Sequence, residues 1–146
     1  MSGVADRGDP ARRASTRLVI EGLDADTAAA LYTGKDSAME LRRAQGSYER
    51  AIQVDPTNPY AYLALARHHL DGGDATQAAN LVEQSAALFE AEGLRSPEVE
   101  VQLMGLRGLS FDAQGRPGEA ALQLNRAGAL APGVWGDGYL SAEELR

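Results

Sequence analysis

The sequence contains no cysteine. That excludes disulfides, thiolate nucleophiles and cysteine zinc sites, although it does not fix the compartment. Aromatic residues make up only 5%, so large rings are not what fills the interior. No apolar run approaches the about 18 residues of a membrane-spanning helix. The N-terminus carries charges but no apolar core of about 7–15 residues, so no signal peptide is read there. The expected location is cytoplasmic, or periplasmic if a signal sequence has been removed. Positive charge is scarce: 14 basic residues face 21 acidic ones, for a net charge of −7. An acidic chain repels phosphate backbones, which disfavours broad nucleic-acid binding. Lys35 is the only lysine, a composition bias rather than a device.

What is present is alanine, within a hydrophobic fraction of 44%. Alanine is the best helix former and permits close helix contact. The 146 residues suffice for one compact domain with a real core. The composition therefore predicts an all-helical fold with small residues at its seams.

Residues 1–9 read as a flexible, polar tail. Arg7-Gly8-Asp9 spells an adhesion tripeptide, best taken as chance. Arg12-Arg13-Ala14-Ser15 has the form of a basophilic kinase site, but a solvated helix start is the better reading. Asp9-Pro10 opens the first helix, with Asp as cap and Pro in the first turn. Gly22 and Asp24-Ala25-Asp26 weaken its middle. The pattern over 10–33 is one long kinked helix or two short ones, with Asp26 capping a restart. Asp36 or Ser37 caps a second helix to about Val54. That helix should turn Met39, Ala44, Tyr48, Ala51 and Ile52 inward, and Glu40, Arg42, Arg43, Glu49 and Arg50 outward.

The organising joint is Asp55-Pro56-Thr57-Asn58-Pro59. Pro56 has no N–H and drives Asp55 out of helical backbone. Pro59 suits the first turn of a third helix running to about Leu70. Gly72-Gly73 stops that helix, and Asp74 caps a fourth to about Ala91, with Ala78, Leu81, Val82, Ser85, Leu88 and Phe89 inward. Ser96-Pro97 opens a fifth helix through Val101, Met104, Leu106, Gly108 and Phe111. A sixth runs from Pro117 to about Leu130. Ser141 and Glu144 form a capping box that announces one more helix near the end. Trp135 and Leu140 are expected to pack on the last helix pair or to mediate self-association.

The turns Thr33-Gly34-Lys35-Asp36, Gly72-Gly73-Asp74-Ala75 and Gln114-Gly115-Arg116-Pro117 align as an internal repeat. Unit 101–134 has Gly108, Phe111, Gly115, Ala120, Leu124, Ala127 and Pro132 at fixed spacing. Unit 59–92 has Tyr62, Leu65, Ala66, His69, Gly73 and Ala78. This pattern resembles the tetratricopeptide repeat, of about 34 residues. Arg107 departs from the family's usual Leu. The first unit, about 10–58, matches through Ala44, Tyr48, Ala51 and Pro56, but has five extra residues between Gly34 and Pro56. The resemblance implies a right-handed superhelical solenoid of about three antiparallel helix pairs over 10–134, with 135–146 a tail or truncated capping helix. Each pair buries its small residues against its neighbour, since no single pair can cover its own apolar face.

No catalytic constellation appears. His68 and His69 are adjacent, so they diverge by about 100° on a helix. His69 falls at the packed tyrosine position and reads as core filler. Gly34-Lys35 lacks the phosphate-loop pattern, and Asp24 with Asp26 lacks the glycine and terminal Glu of a calcium loop. No metal, cofactor or catalytic residue is expected. The resemblance instead implies a concave groove lined by the first helix of each pair. Here its lining would be Tyr60, Leu63, Arg67, Leu70, Gln102 and Leu109, and ordinary packing between units is the competing role for each. Read from residue 25, the first unit would add Asp26, Ala29 and Thr33. The family's carboxylate-clamp positions hold Ala29, Thr33, Ala64, Gln102 and Leu106. None is a cation, so a terminal-carboxylate ligand is not expected. The resemblance thus implies a non-catalytic scaffold for a protein or peptide partner, with no nucleic acid and no membrane insertion. The alternative is a helical module cut from a larger enzyme, regulator or envelope lipoprotein.

Overall fold

The computed structural model describes residues 9–130 and 142–146. The described helices are α1 (Pro10–Leu31), α2 (Gly34–Val54), α3 (Pro59–Asp71), α4 (Ala75–Ala91), α5 (Pro97–Ala113), α6 (Pro117–Leu130) and the single turn α7 (Ala142–Leu145), with no strand among the described residues. Short connections make α1–α2, α3–α4 and α5–α6 antiparallel pairs. The pairs stack in chain order, α1 and α5 both touching α3, so the fold is a helical-repeat solenoid.

The caps follow the local chemistry. The Asp9 side chain accepts from the Ala11 and Arg12 amides, Asn58 from Tyr60, Asp74 from Gln77 and Ser96 from Val99. Gly73 and Gly115 close the second and third hairpins at φ +90° and +77°, which a side chain would strain. Alanine dominates the seams: Ala44, Ala51, Ala61, Ala64, Ala66, Ala78, Ala120 and Ala127 are all buried, around Tyr48, Leu63, Val82, Phe89 and Val101. Arg107, where the family usually has leucine, pairs with Glu83, Nε to Oε2 at 2.7 Å and Nη2 to Oε1 at 3.1 Å, an exposed link between α5 and α4.

Several expectations are corrected. The first helix is unbroken, and Asp26 caps nothing. The second helix starts at Gly34, not at Asp36 or Ser37, and Thr33 before it makes no side-chain cap. Ser37 Oγ donates instead to the Ala29 carbonyl at 2.9 Å, pinning the two helices together. Glu40 is buried and Met39 is 52% exposed, the reverse of the reading above. The buried stripe of α2 is Glu40, Ala44, Ser47, Tyr48 and Ala51. Met39 stands about 100° off that stripe. Arg12 and Ser15 are buried too, so neither a solvated helix start nor an accessible kinase site survives.

Gly22 sets the register of the first pair. A Cβ there would lie 2.3 Å from Tyr48 Cε1, as one on Gly108 would lie 2.8 Å from Leu124 Cγ. Gly22 is therefore the small first-helix residue of its unit, and Asp26, Ala29 and Thr33 are not the positions that a start at residue 25 assigned. From Gly22 to the turn glycine Gly34 is twelve residues, against seven from Gly108 to Gly115. Five extra residues thus lengthen α1 as well as α2. Each arm gains about 7.5 Å. At its tip, Leu31 and Tyr32 are 78% and 51% exposed.

Residues 1–8 of the expected N-terminal tail, and Trp135, Leu140 and Ser141, lie outside the described residues. The helix announced near the end does form, over Ala142–Leu145, and its neighbour is α1.

Candidate functional site

The joint between α2 and α3 is wired into α1. Asp55 Oδ1 accepts from the Thr57 amide at 3.0 Å and the Thr57 hydroxyl at 2.6 Å, while Oδ2 accepts from Arg12 Nε at 2.6 Å. Arg12 Nη2 also donates to the Thr57 carbonyl at 3.2 Å and to Glu92 Oε1 at 2.6 Å. One guanidinium thus joins the start of α1, the α2–α3 joint and the end of α4. Ser15 Oγ donates to the Ala51 carbonyl at 2.7 Å, and Asn58 Nδ2 donates to Ser15 Oγ at 3.0 Å. Burial alone would raise the Asp55 carboxyl. Hydrogen bonds from Thr57 and Arg12 outweigh it and hold the group below its usual 3.8. Arg12 is a structural residue, where the sequence reading had a solvated helix start.

A second polar cluster joins α1, α2 and α3. Tyr48 donates to Asp26 Oδ2 at 2.7 Å, and His68 Nδ1 lies 2.8 Å from Asp26 Oδ1. The Tyr48 and His68 rings meet edge to face, with centroids 5.7 Å apart. Burial, then the Asp26 charge, pushes the Tyr48 phenol far above its usual value, so it stays a donor. His68, not His69, is the buried histidine, because it faces Asp26 across the α1–α3 seam. Burial and neighbouring His68 hold the half-buried His69 below its usual 6.5. Each member of this cluster already bonds another, which suits positioning rather than catalysis. Among the described residues, no three His, Asp or Glu side chains are placed to hold a metal, and no helix is long and apolar enough to cross a membrane.

Tyr60, Leu63, Arg67 and Leu70 recur at i, i+3, i+7 and i+10, so they share one face of α3. Gln102 and Leu109, seven apart, share a face of α5. Leu63 and Gln102 are buried, 1% and 5% exposed, while Tyr60, Arg67, Leu70 and Leu109 are half-buried. Tyr60 packs edge to face on Phe89 at 4.9 Å, and Arg67 Nε reaches Asp71 Oδ2 at 2.7 Å.

The family model described as "Tetratricopeptide repeat" matches residues 38–90, which span α2 to α4 with the Asp55–Pro59 joint inside. Residues 38–90 are thus a tetratricopeptide-repeat segment. The fold of the chain is similar to the N-terminal domain of stress-induced protein-1 from C. elegans, with a TM-score of 0.60 and 19% identity over 90% of this chain and 97% of that one. At that identity the likeness is one of fold. No curated protein matches the sequence. The tetratricopeptide repeat is a protein–protein interaction module, and such repeats are typically non-catalytic scaffolds.

Proposed function

We propose that this protein is a non-catalytic scaffold that takes a peptide segment or partner protein in the groove along α1, α3 and α5. The observation that carries this reading is the half-open face of α3: two apolar side chains, Tyr60 and Leu70, flank one cation, Arg67, with Leu109 in the matching place on α5. Leu63 and Gln102 are buried, so the accessible lining in this reading is the other four. Such a face suits an extended or helical apolar segment carrying one acid to pair with Arg67. The corrected register moves the first unit's clamp positions from Ala29 and Thr33 to Val19 and Leu23. Neither is a cation, so a terminal carboxylate remains an unsuitable ligand.

The test is capture of partners from native lysate by wild type and Arg67→Glu. The reading predicts that the charge reversal removes at least one partner, which Arg67→Lys retains. Identical partner lists from all three proteins would remove Arg67 and its face from the site.

A further inference from the structure

Asp24 lies two residues from both Gly22, which faces α2, and Asp26, which faces α3. It therefore points about 200° round α1 from each, toward a side that neither neighbour uses. On that side sits α7. Ala142 and Leu145, three apart and on one side of the turn, pack against the hydrophobic core cluster. Arg146 Nη2 reaches Asp24 Oδ2 at 2.6 Å, and its other terminal nitrogen meets Glu143. Asp24 also stands at the edge of a cleft of about 360 Å³ between α1 and α2, whose lining includes Glu21, Tyr32, Glu40 and Arg43. Arg43 pairs with Glu40 at 3.5 Å, so the carboxylates that α1 itself offers a cation here are Glu21 and Asp24.

We propose that residues 142–146 are an internal ligand of α1, and that the surface they cover receives a partner's helical segment of the same chemistry. That segment presents a small and an aliphatic residue three apart, followed directly by arginine. The inference rests on the reading of the chain as a partner-binding scaffold and adds the partner's chemistry and its competitor. The internal contact is built to be displaced. Its anchors are one alanine, one leucine and an ion pair about half open to water at both ends, which holds weakly. A partner making the same contacts and extending into the cleft wins by its extra contacts.

The experiment uses the full chain and, as probe, a synthetic peptide with the sequence of residues 139–146, titrated by NMR against the amides of α1. A segment docked in about nine molecules of ten lowers the apparent affinity about tenfold. Leu145→Asp with Arg146→Glu should therefore bind the peptide about tenfold more tightly than wild type, and Arg146→Glu alone, at an exposed side chain, should shift affinity the same way. Adding Asp24→Lys should abolish binding, and a peptide with Glu in place of its arginine should restore it. Equal affinity for wild type and the released variants, binding indifferent to Asp24, or no binding to any variant would each overturn the proposal. The two readings fail separately. Partner loss with Arg67→Glu alongside a peptide that ignores Asp24 removes only the internal ligand. Peptide binding that depends on Asp24, alongside partner capture indifferent to Arg67, removes only the Arg67 groove.

Discussion

Replacing Arg12 with alanine should be the most destabilising single change, by about 3–5 kcal/mol in urea denaturation at pH 7. That is the usual range for stripping one partner from a buried ion pair. The guanidinium is nearly inaccessible, and its loss leaves the Asp55 carboxylate, itself only about one-tenth exposed, without its cation. It also frees Glu92 and the Thr57 carbonyl together. For a domain whose whole stability is about 5–15 kcal/mol, this is a large share. The pH dependence gives a second check. The Asp55 carboxyl is held below its unfolded 3.8, so it contributes stability that is present above pH 3.8 and lost as pH falls through its folded value. The gap between wild type and Arg12→Ala should therefore narrow on acidification below about pH 4. A gap that widens there would assign the effect to packing rather than to charge.

The second large effect is expected at Gly22. An alanine methyl there would sit 2.3–2.8 Å from three atoms of the Tyr48 ring. The ring is rigid, held by Asp26 at its hydroxyl and by His68 at its edge. Overpacking of this kind costs about 1–3 kcal/mol, against a gain of under about 1 kcal/mol from better helix propensity. Gly22→Ala should thus destabilise although it improves the helix. In a double-mutant cycle, Gly22→Ala should cost much less in a Tyr48→Leu background, a coupling in the range of about 0.5–3 kcal/mol seen for touching residues. Additive costs would mean that α1 and α2 are not pressed together at this glycine.

These two positions also show where sequence reasoning stops. Most helix ends were legible because they rest on residues a few places apart; the start of α2 was not, since Thr33 before it makes no side-chain cap. Pro59, Gly72-Gly73, Asp74 and Ser96-Pro97 act where they stand, and the seam alanines declare themselves by helical spacing. Arg12 did not, because its partners Asp55 and Glu92 are 43 and 80 residues away. Gly22 read as a weak point because glycine disfavours helix. Its purpose appears only once the Tyr48 ring lies over it. The five extra residues after Gly34 were visible, but the matching five before it were hidden until Gly22 was placed. Met39 and Glu40 exchanged faces for a related reason: an apolar side chain marks the interior only where another helix covers it. Of the candidate site, the shared face of α3 followed from periodicity, whereas the burial of Leu63 and Gln102 depends on how neighbouring pairs close over them.

The central claim is that partners dock along the first helices of the pairs. The most direct measurement places a photo-crosslinking amino acid at Leu109 on α5 or at Leu122 on α6, the latter 52% exposed, and illuminates each protein in native lysate. The account predicts a protein adduct from position 109 and none from position 122. Adducts from 122 alone would contradict it.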